Sequence, residues 1–137
     1  MKKRFKILFI ATITLTSSLS CQKISTPNED SKKLFGSWLY DNNSGGLSGK
    51  GGSNRFSSGS WVEFTERGYF KYYINSKKES QKRFKIEMKK TIYDANLKPV
   101  IEYRNGDYDV FQISNDTLYL SDNNHDGYSY RFIKKMN

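Results

Sequence analysis

The chain is expected to fold as an all-β domain, a small antiparallel up-and-down β-barrel of about seven to eight strands. Three observations predict it. Apolar and polar residues alternate with a period of two in successive short stretches, the signature of strands with one face buried. Polar, glycine- and asparagine-bearing segments of hairpin length separate most of these stretches. No segment sustains a helical apolar period for more than a turn or two. Short links make successive strands antiparallel neighbours, and a sheet of this many strands in about 100 residues removes its exposed edges by closing.

The strands are read in order. The first opens at Gly36–Trp38. In 61–66 Val62 and Phe64 share a face, and in 69–75 Phe70, Tyr72 and Ile74 do. In 82–89 Phe84, Ile86 and Met88 alternate with Arg83, Lys85, Glu87 and Lys89. Ile101 and Tyr103 mark 99–104, Phe111 and Ile113 mark 108–114, and Leu118 and Leu120 mark 117–121. The last strand, 128–134, carries Tyr128, Tyr130 and Phe132. Turns fall at Glu66-Arg67-Gly68, Asn105-Gly106-Asp107, Ser114-Asn115-Asp116 and Asp122 to Gly127, and Asn-Gly supplies the positive φ of a tight hairpin. Phe64, Phe70, Tyr72, Phe84, Tyr103, Phe111, Tyr130 and Phe132 are thereby placed inward. They fill the barrel or line a small pocket within it, since eight strands leave room for either.

Two segments break the pattern. Residues 41–60 hold six of the ten glycines and almost no apolar side chains. They are expected to be a mobile loop, too polar to pack, between the first two strands. Residues 22–33 are polar, contain Pro27, and read as a tether, with a short helical turn within 30–34.

The N-terminus resembles a bacterial lipoprotein signal. Lys2, Lys3, Arg4 and Lys6 precede the apolar run 7–16, and small residues lead through Ser20 to Cys21, the only cysteine. A run of this length is half of the ~20 residues a membrane-spanning helix needs, and its flanks are those of a cleaved signal. The resemblance implies removal of 1–20, lipidation of Cys21, a tether over 21–33 and a barrel domain over 34–137. A lone cysteine excludes an intramolecular disulfide. The formal charge of +9 shrinks on this reading: four of the 23 basic residues precede Cys21 and none of the 14 acidic ones do, which leaves +5. Lys77, Lys78, Lys82, Arg83, Lys85, Lys89 and Lys90 supply much of it. The aromatics sit at core spacing and not among these cations, so no nucleic-acid partner is expected.

Motifs for chemistry are weak. Gly49-Lys50 is followed by Gly51, not Ser or Thr, and no helix follows, so a phosphate-binding loop is not indicated. Asp122 to Gly127 matches the first six positions of a calcium loop, yet the twelfth is Ile133 and the flanks are strands, so a polar hairpin is expected and no metal. His125, the single histidine, lies in that turn. With no second histidine and no free cysteine, neither a zinc set nor a nucleophile–base pair is evident. Glu63, Glu87 and Glu102 fall on outward faces. An enzyme is not expected, nor a cofactor.

Leu34-Phe35-Gly36-Ser37-Trp38 resembles the Gly-x-Trp opening of lipocalin-like domains, and Val62-Glu63-Phe64-Thr65 with Gly68-Tyr69-Phe70 resembles a hairpin of small lipocalin-like lipoproteins of the Bacteroidetes type. Asn115 to Leu120 and Tyr130-Arg131-Phe132 are similar in style. The resemblance implies that Gly36 and Trp38 close one end of a barrel, that loop 41–60 lies over the mouth, and that the ligand is apolar. The expected role is a lipid-anchored protein of the cell envelope, at the outer membrane and facing the periplasm, which binds a small apolar or amphipathic molecule without catalysis. The alternative is a filled barrel serving as an envelope protein- or glycan-interaction module. A hydrolase inhibitor is one form of it, although a +5 domain would repel a cationic lysozyme.

Overall fold

The computed structural model describes residues 26, 28–46 and 55–136. The signal, Cys21 and most of the expected tether lie outside them. Eight antiparallel strands close in chain order, each pairing with the next and the last with the first. They are β1 (Gly36–Gly45), β2 (Ser60–Phe64), β3 (Tyr69–Ile74), β4 (Lys77–Lys89), β5 (Lys98–Tyr103), β6 (Tyr108–Ser114), β7 (Thr117–Asp122) and β8 (Tyr128–Lys134). This is the expected up-and-down barrel.

Turn chemistry sets the registers. Asn75 and Ser76 both take positive φ (47° and 66°) and close the β3–β4 hairpin in two residues, the twist-compatible geometry for such a link. Asn115 (φ 50°) does the same between β6 and β7. β4 is long because it serves two neighbours, pairing β3 through Lys77–Arg83 and β5 through Phe84–Lys89.

The interior is aromatic. Phe64 meets Phe70 and Phe84 with ring centroids 5.2 and 5.4 Å apart, and Phe70 meets Tyr103 at 5.7 Å. Leu118, Leu120, Ile101, Val62 and Phe132 are fully buried with them. Where β1 starts, the end is closed by a single helical turn, α1 (Glu29–Lys32). Asn28 caps it, its Oδ1 accepting from the Ser31 N–H at 2.8 Å. Leu34 and Trp38 lie buried behind it, and the indole N–H donates to the Leu34 carbonyl at 2.8 Å. The Lys134 ammonium lies 4.2 Å from the Trp38 ring and donates to the Phe35 carbonyl. Gly36 fits here because its φ is +124° and an added Cβ would stand 2.7 Å from that ammonium. Gly36 and Trp38 thus sit at a closed barrel end.

Three expectations need correction. Residues 41–60 are not one unpacked loop. Residues 41–45 continue β1 and pair with β8, and Phe56 is buried in the core, 4% exposed; residues 47–54 lie outside the described set. Residues 77–81 are strand, although they contain no apolar side chain. Of the polar segment expected to be tether to residue 33, the part from Asn28 on is folded: the expected short helical turn is there, at Glu29–Lys32, and Ser31 in it is fully buried.

Candidate functional site

Opposite the Trp38 end lie the turns 75–76, 104–107 and 123–127 and the segment Arg55–Phe56. This is the mouth. Phe56 plugs its centre, with its ring 5.0 Å from those of Tyr130 and Phe132 and 5.5 Å from that of Tyr72. Burying such a ring contributes roughly 1.5–3 kcal/mol.

An ionic cluster holds the plug. Arg55 makes a bidentate pair with Asp109 at 3.1 and 2.9 Å and approaches Asp122 at 3.4 Å. Tyr103 donates its hydroxyl to Asp109 at 2.8 Å. The Arg55 guanidinium also lies over the rings of Phe56 and Tyr130, about 5 Å from each. Burial pushes the Asp109 carboxyl above the ordinary carboxylate range, although Arg55 and Tyr103 pull the other way. Burial and the neighbouring Asp109 together push the Tyr103 hydroxyl well up. For Arg55 burial works downward, but Asp109 overrides it and the guanidinium stays charged.

Beside the plug is a cleft of about 270 Å³ lined by Arg55, Phe56, Phe70, Tyr72, Ser80, Lys82, Tyr103, Asn105 and Asp107. Its floor is aromatic. Its rim is polar because β4 carries its inward parity backward from Phe84 to Lys82 and Ser80, which lie opposite Phe70 and Tyr72. Lys82 lies 5.8 Å from the Tyr103 ring. Among the described residues no carboxylate forms an ion pair with it.

Of the eight aromatics expected inward, all face the interior, and Tyr72 alone is only half-buried. The cleft gathers three of them: Phe70, Tyr72 and Tyr103. Phe64, Phe84, Tyr130 and Phe132 are spent on core packing, and Phe111 borders a separate opening in the wall. Arg55, Phe56, Ser80 and Lys82 were not anticipated. Phe56 had a signal, as the one aromatic in a Gly/Ser-rich stretch. Ser80 and Lys82 had another, the alternation of β4 extended by two more steps.

The remaining surfaces are different in kind. Asp122 to Gly127 forms the β7–β8 connection, and among the described residues no group of three or more potential ligands clusters for a metal ion. Outside the barrel Glu102 is held by Lys89 at 2.6 Å and Lys85 at 3.5 Å. Trp61 stacks on Tyr73 with centroids 3.7 Å apart and planes 2° from parallel, flanked by Leu39 across the β1–β2 ladder. A larger cavity of about 770 Å³ lies on the wall where β5 and β6 part. No family model, curated protein or solved structure matches the chain.

Proposed function

We propose that this protein is a lipid-anchored, lipocalin-like binder of a small amphipathic molecule, non-enzymatic, held in the cell envelope through Cys21. The observation that carries the binding reading is the mouth cleft. It combines an aromatic floor of Phe56, Phe70, Tyr72 and Tyr103 with a rim ammonium at Lys82. Apolar lining with a few convergent polar groups is the usual makeup of a small-molecule site. At about 270 Å³ the cleft suits a ring or short chain, with a polar head toward Lys82 and Ser80. Beneath it Phe64, Phe70, Phe84 and Tyr103 pack ring against ring, which favours a ligand held at the mouth.

Native mass spectrometry of the protein purified from its own cells tests this. A co-purifying small molecule is expected, with its occupancy reduced in Lys82→Ala and Tyr72→Ala proteins. A bare protein that also fails to bind the aromatic sulfonate 1-anilinonaphthalene-8-sulfonate at millimolar concentration would overturn it.

The outer-face strip of exposed Leu39 with half-buried Trp61 and Tyr73 favours a second reading, an interaction module whose outer face meets an envelope protein or glycan. Loss of a pulled-down partner in a Trp61→Ala protein, with the cleft empty, would favour that reading over the first.

A further inference from the structure

We propose that the groove at the rim of the mouth, between β4 and the 104–107 turn, is a phosphate-binding site, and that it takes the head of the molecule whose apolar part lies in the mouth cleft. The inference rests on the binding reading above and names the class of its ligand, an alkyl or aryl phosphate.

The groove has a volume of about 400 Å³. Three of its lining residues are cations, Lys82, Arg83 and Arg104, and none is a carboxylate. It borders the mouth cleft directly, since Lys82, Tyr103 and Asn105 line both. The strand pattern produces it. β4 pairs with β3 through Arg83 but with β5 only from Phe84 on, so the stretch before Phe84 stands beside a turn and not beside a strand. Alternation along that stretch turns Lys82 to the side of Phe84 and turns Gln81 and Arg83 outward. Cations therefore reach the rim from both faces of the sheet.

The charges are out of balance here. On the same strand Lys77, Lys85 and Lys89 pair with Glu79, Glu87 and Glu102 at 3.3, 2.5 and 2.6 Å, and Lys78 donates to Gln81 Oε1 at 3.4 Å. Among the described residues no carboxylate forms an ion pair with Lys82, Arg83 or Arg104. The two arginines are also forced together. They stand next in register after Phe84↔Tyr103, and the Arg104 N–H donates to the Arg83 carbonyl at 3.2 Å. Residues so opposed have Cβ atoms about 4.5–5.5 Å apart, where like charges destabilise the sheet. An anion held between them removes that cost. The Arg83 guanidinium is already positioned for one: it lies 4.1 Å from the Tyr69 ring centre, and its Nη1 donates to the Arg67 carbonyl at 3.4 Å.

The charge selects the head. Three positive charges with no negative one suit a group that carries nearly two negative charges on three acceptor oxygens, which a phosphate monoester does and a carboxylate does not. The planar fork of an arginine engages such oxygens in pairs. The adjoining cleft of about 270 Å³, with its floor of Phe56, Phe70, Tyr72 and Tyr103, takes the attached chain or ring.

The test is an amide NMR titration of the purified protein with octyl phosphate, 1-octanol and inorganic phosphate in turn. Octyl phosphate is expected to shift Tyr72 in the cleft and Arg104 in the groove together, and to bind about tenfold or more tightly than 1-octanol, which should shift Tyr72 alone. Inorganic phosphate should shift Arg104 alone, and more weakly. Raising sodium chloride from about 20 to 500 mM should erase the preference for octyl phosphate in the wild-type protein. The double substitution Arg83→Gln with Arg104→Gln should erase it too, with octanol affinity unchanged; both side chains are exposed, so no core contact is lost. Equal affinity for octyl phosphate and octanol, or a preference that the double substitution leaves intact, would overturn the phosphate site while the cleft reading stands. A response to inorganic phosphate at Arg104, lost in the double variant, with none to octanol would overturn the cleft reading and leave the groove a site for the free ion. No response to any of the three would overturn both.

Discussion

Two carboxylates on neighbouring strands show how a single residue's surroundings decide its role. Asp109 points into the mouth and is 3% exposed; Glu102, seven residues earlier, faces outward among lysines. Asp109→Ala would strand the Tyr103 hydroxyl in the core and leave Arg55 without its bidentate partner. Because Arg55 retains some access to water and to Asp122, the expected loss is about 2–3 kcal/mol, at the lower end for a broken buried pair, read by urea denaturation. Glu102 behaves oppositely. Its hydrogen bond to Lys89 leads the causes that hold its carboxyl below the ordinary value of 4.5. A carboxylate whose pKa is lowered by folding stabilises the fold above its unfolded value, and that contribution is lost as pH falls through the folded one. Wild-type stability should therefore fall below pH 4.5 more steeply than that of Glu102→Gln, and the two should converge in acid. Parallel curves across that range would show that the Lys85–Glu102–Lys89 cluster contributes nothing.

At the scale of elements, three segments, 41–45, 55–60 and 77–81, carry what alternation did not disclose. The strands from β6 to β8 were legible because each buries mainly one face, so apolar residues recur at every second position; β5 was legible through Ile101 and Tyr103, although Val100 on its other face is buried too. Residues 77–81 were not, because the rim of a barrel mouth has no buried face to impose the pattern; only the Asn75-Ser76 turn and the pairing with β3 hold them as strand. Residues 41–45 were hidden for a related reason: their pairing with β8 is made by backbone groups that composition does not reveal. Phe56 was hidden by its neighbours, since a glycine- and serine-rich context reads as unpacked even when one ring in it is anchored by Arg55. The closing end was legible in Gly36 and Trp38. The mouth was only half so, through Phe70, Tyr72 and Tyr103. Phe56→Ala should cost about 2–4 kcal/mol, near the lower part of the range for core aromatics because the site opens to solvent at the rim. It should also enlarge the cleft, so 1-anilinonaphthalene-8-sulfonate should bind the variant more tightly than it binds wild type. Weaker binding would mean that the Phe56 ring is itself the main contact surface.

For the whole molecule, the two barrel ends differ in construction, and the chain's own direction orients them. The N-terminal segment enters through α1 at the end closed by Trp38, and β8 finishes at the same end, where Lys134 reaches the Phe35 carbonyl and the Lys135 N–H donates to the Ser37 carbonyl. The mouth, with Arg55, Lys82 and the 123–127 turn, is at the other end. Seven residue steps separate Cys21 from Asn28, the N-cap of α1, a reach of at most about 25 Å. If Cys21 carries the lipid anchor we propose, the Trp38 end is held near the bilayer and the mouth is turned away from it, open to molecules arriving through the aqueous phase. Two measurements follow. Cys21→Ser should move the protein from the membrane to the soluble fraction while leaving its unfolding midpoint and probe binding unchanged, because no described contact depends on residue 21. In the lipidated protein, reconstituted with nitroxide-labelled headgroups, the amide signals of Ser31 and Lys135 should be attenuated more strongly than that of His125. Equal attenuation at both ends would mean that the tether lets the barrel lie on its side, and the mouth would then be as close to lipid as the closed end.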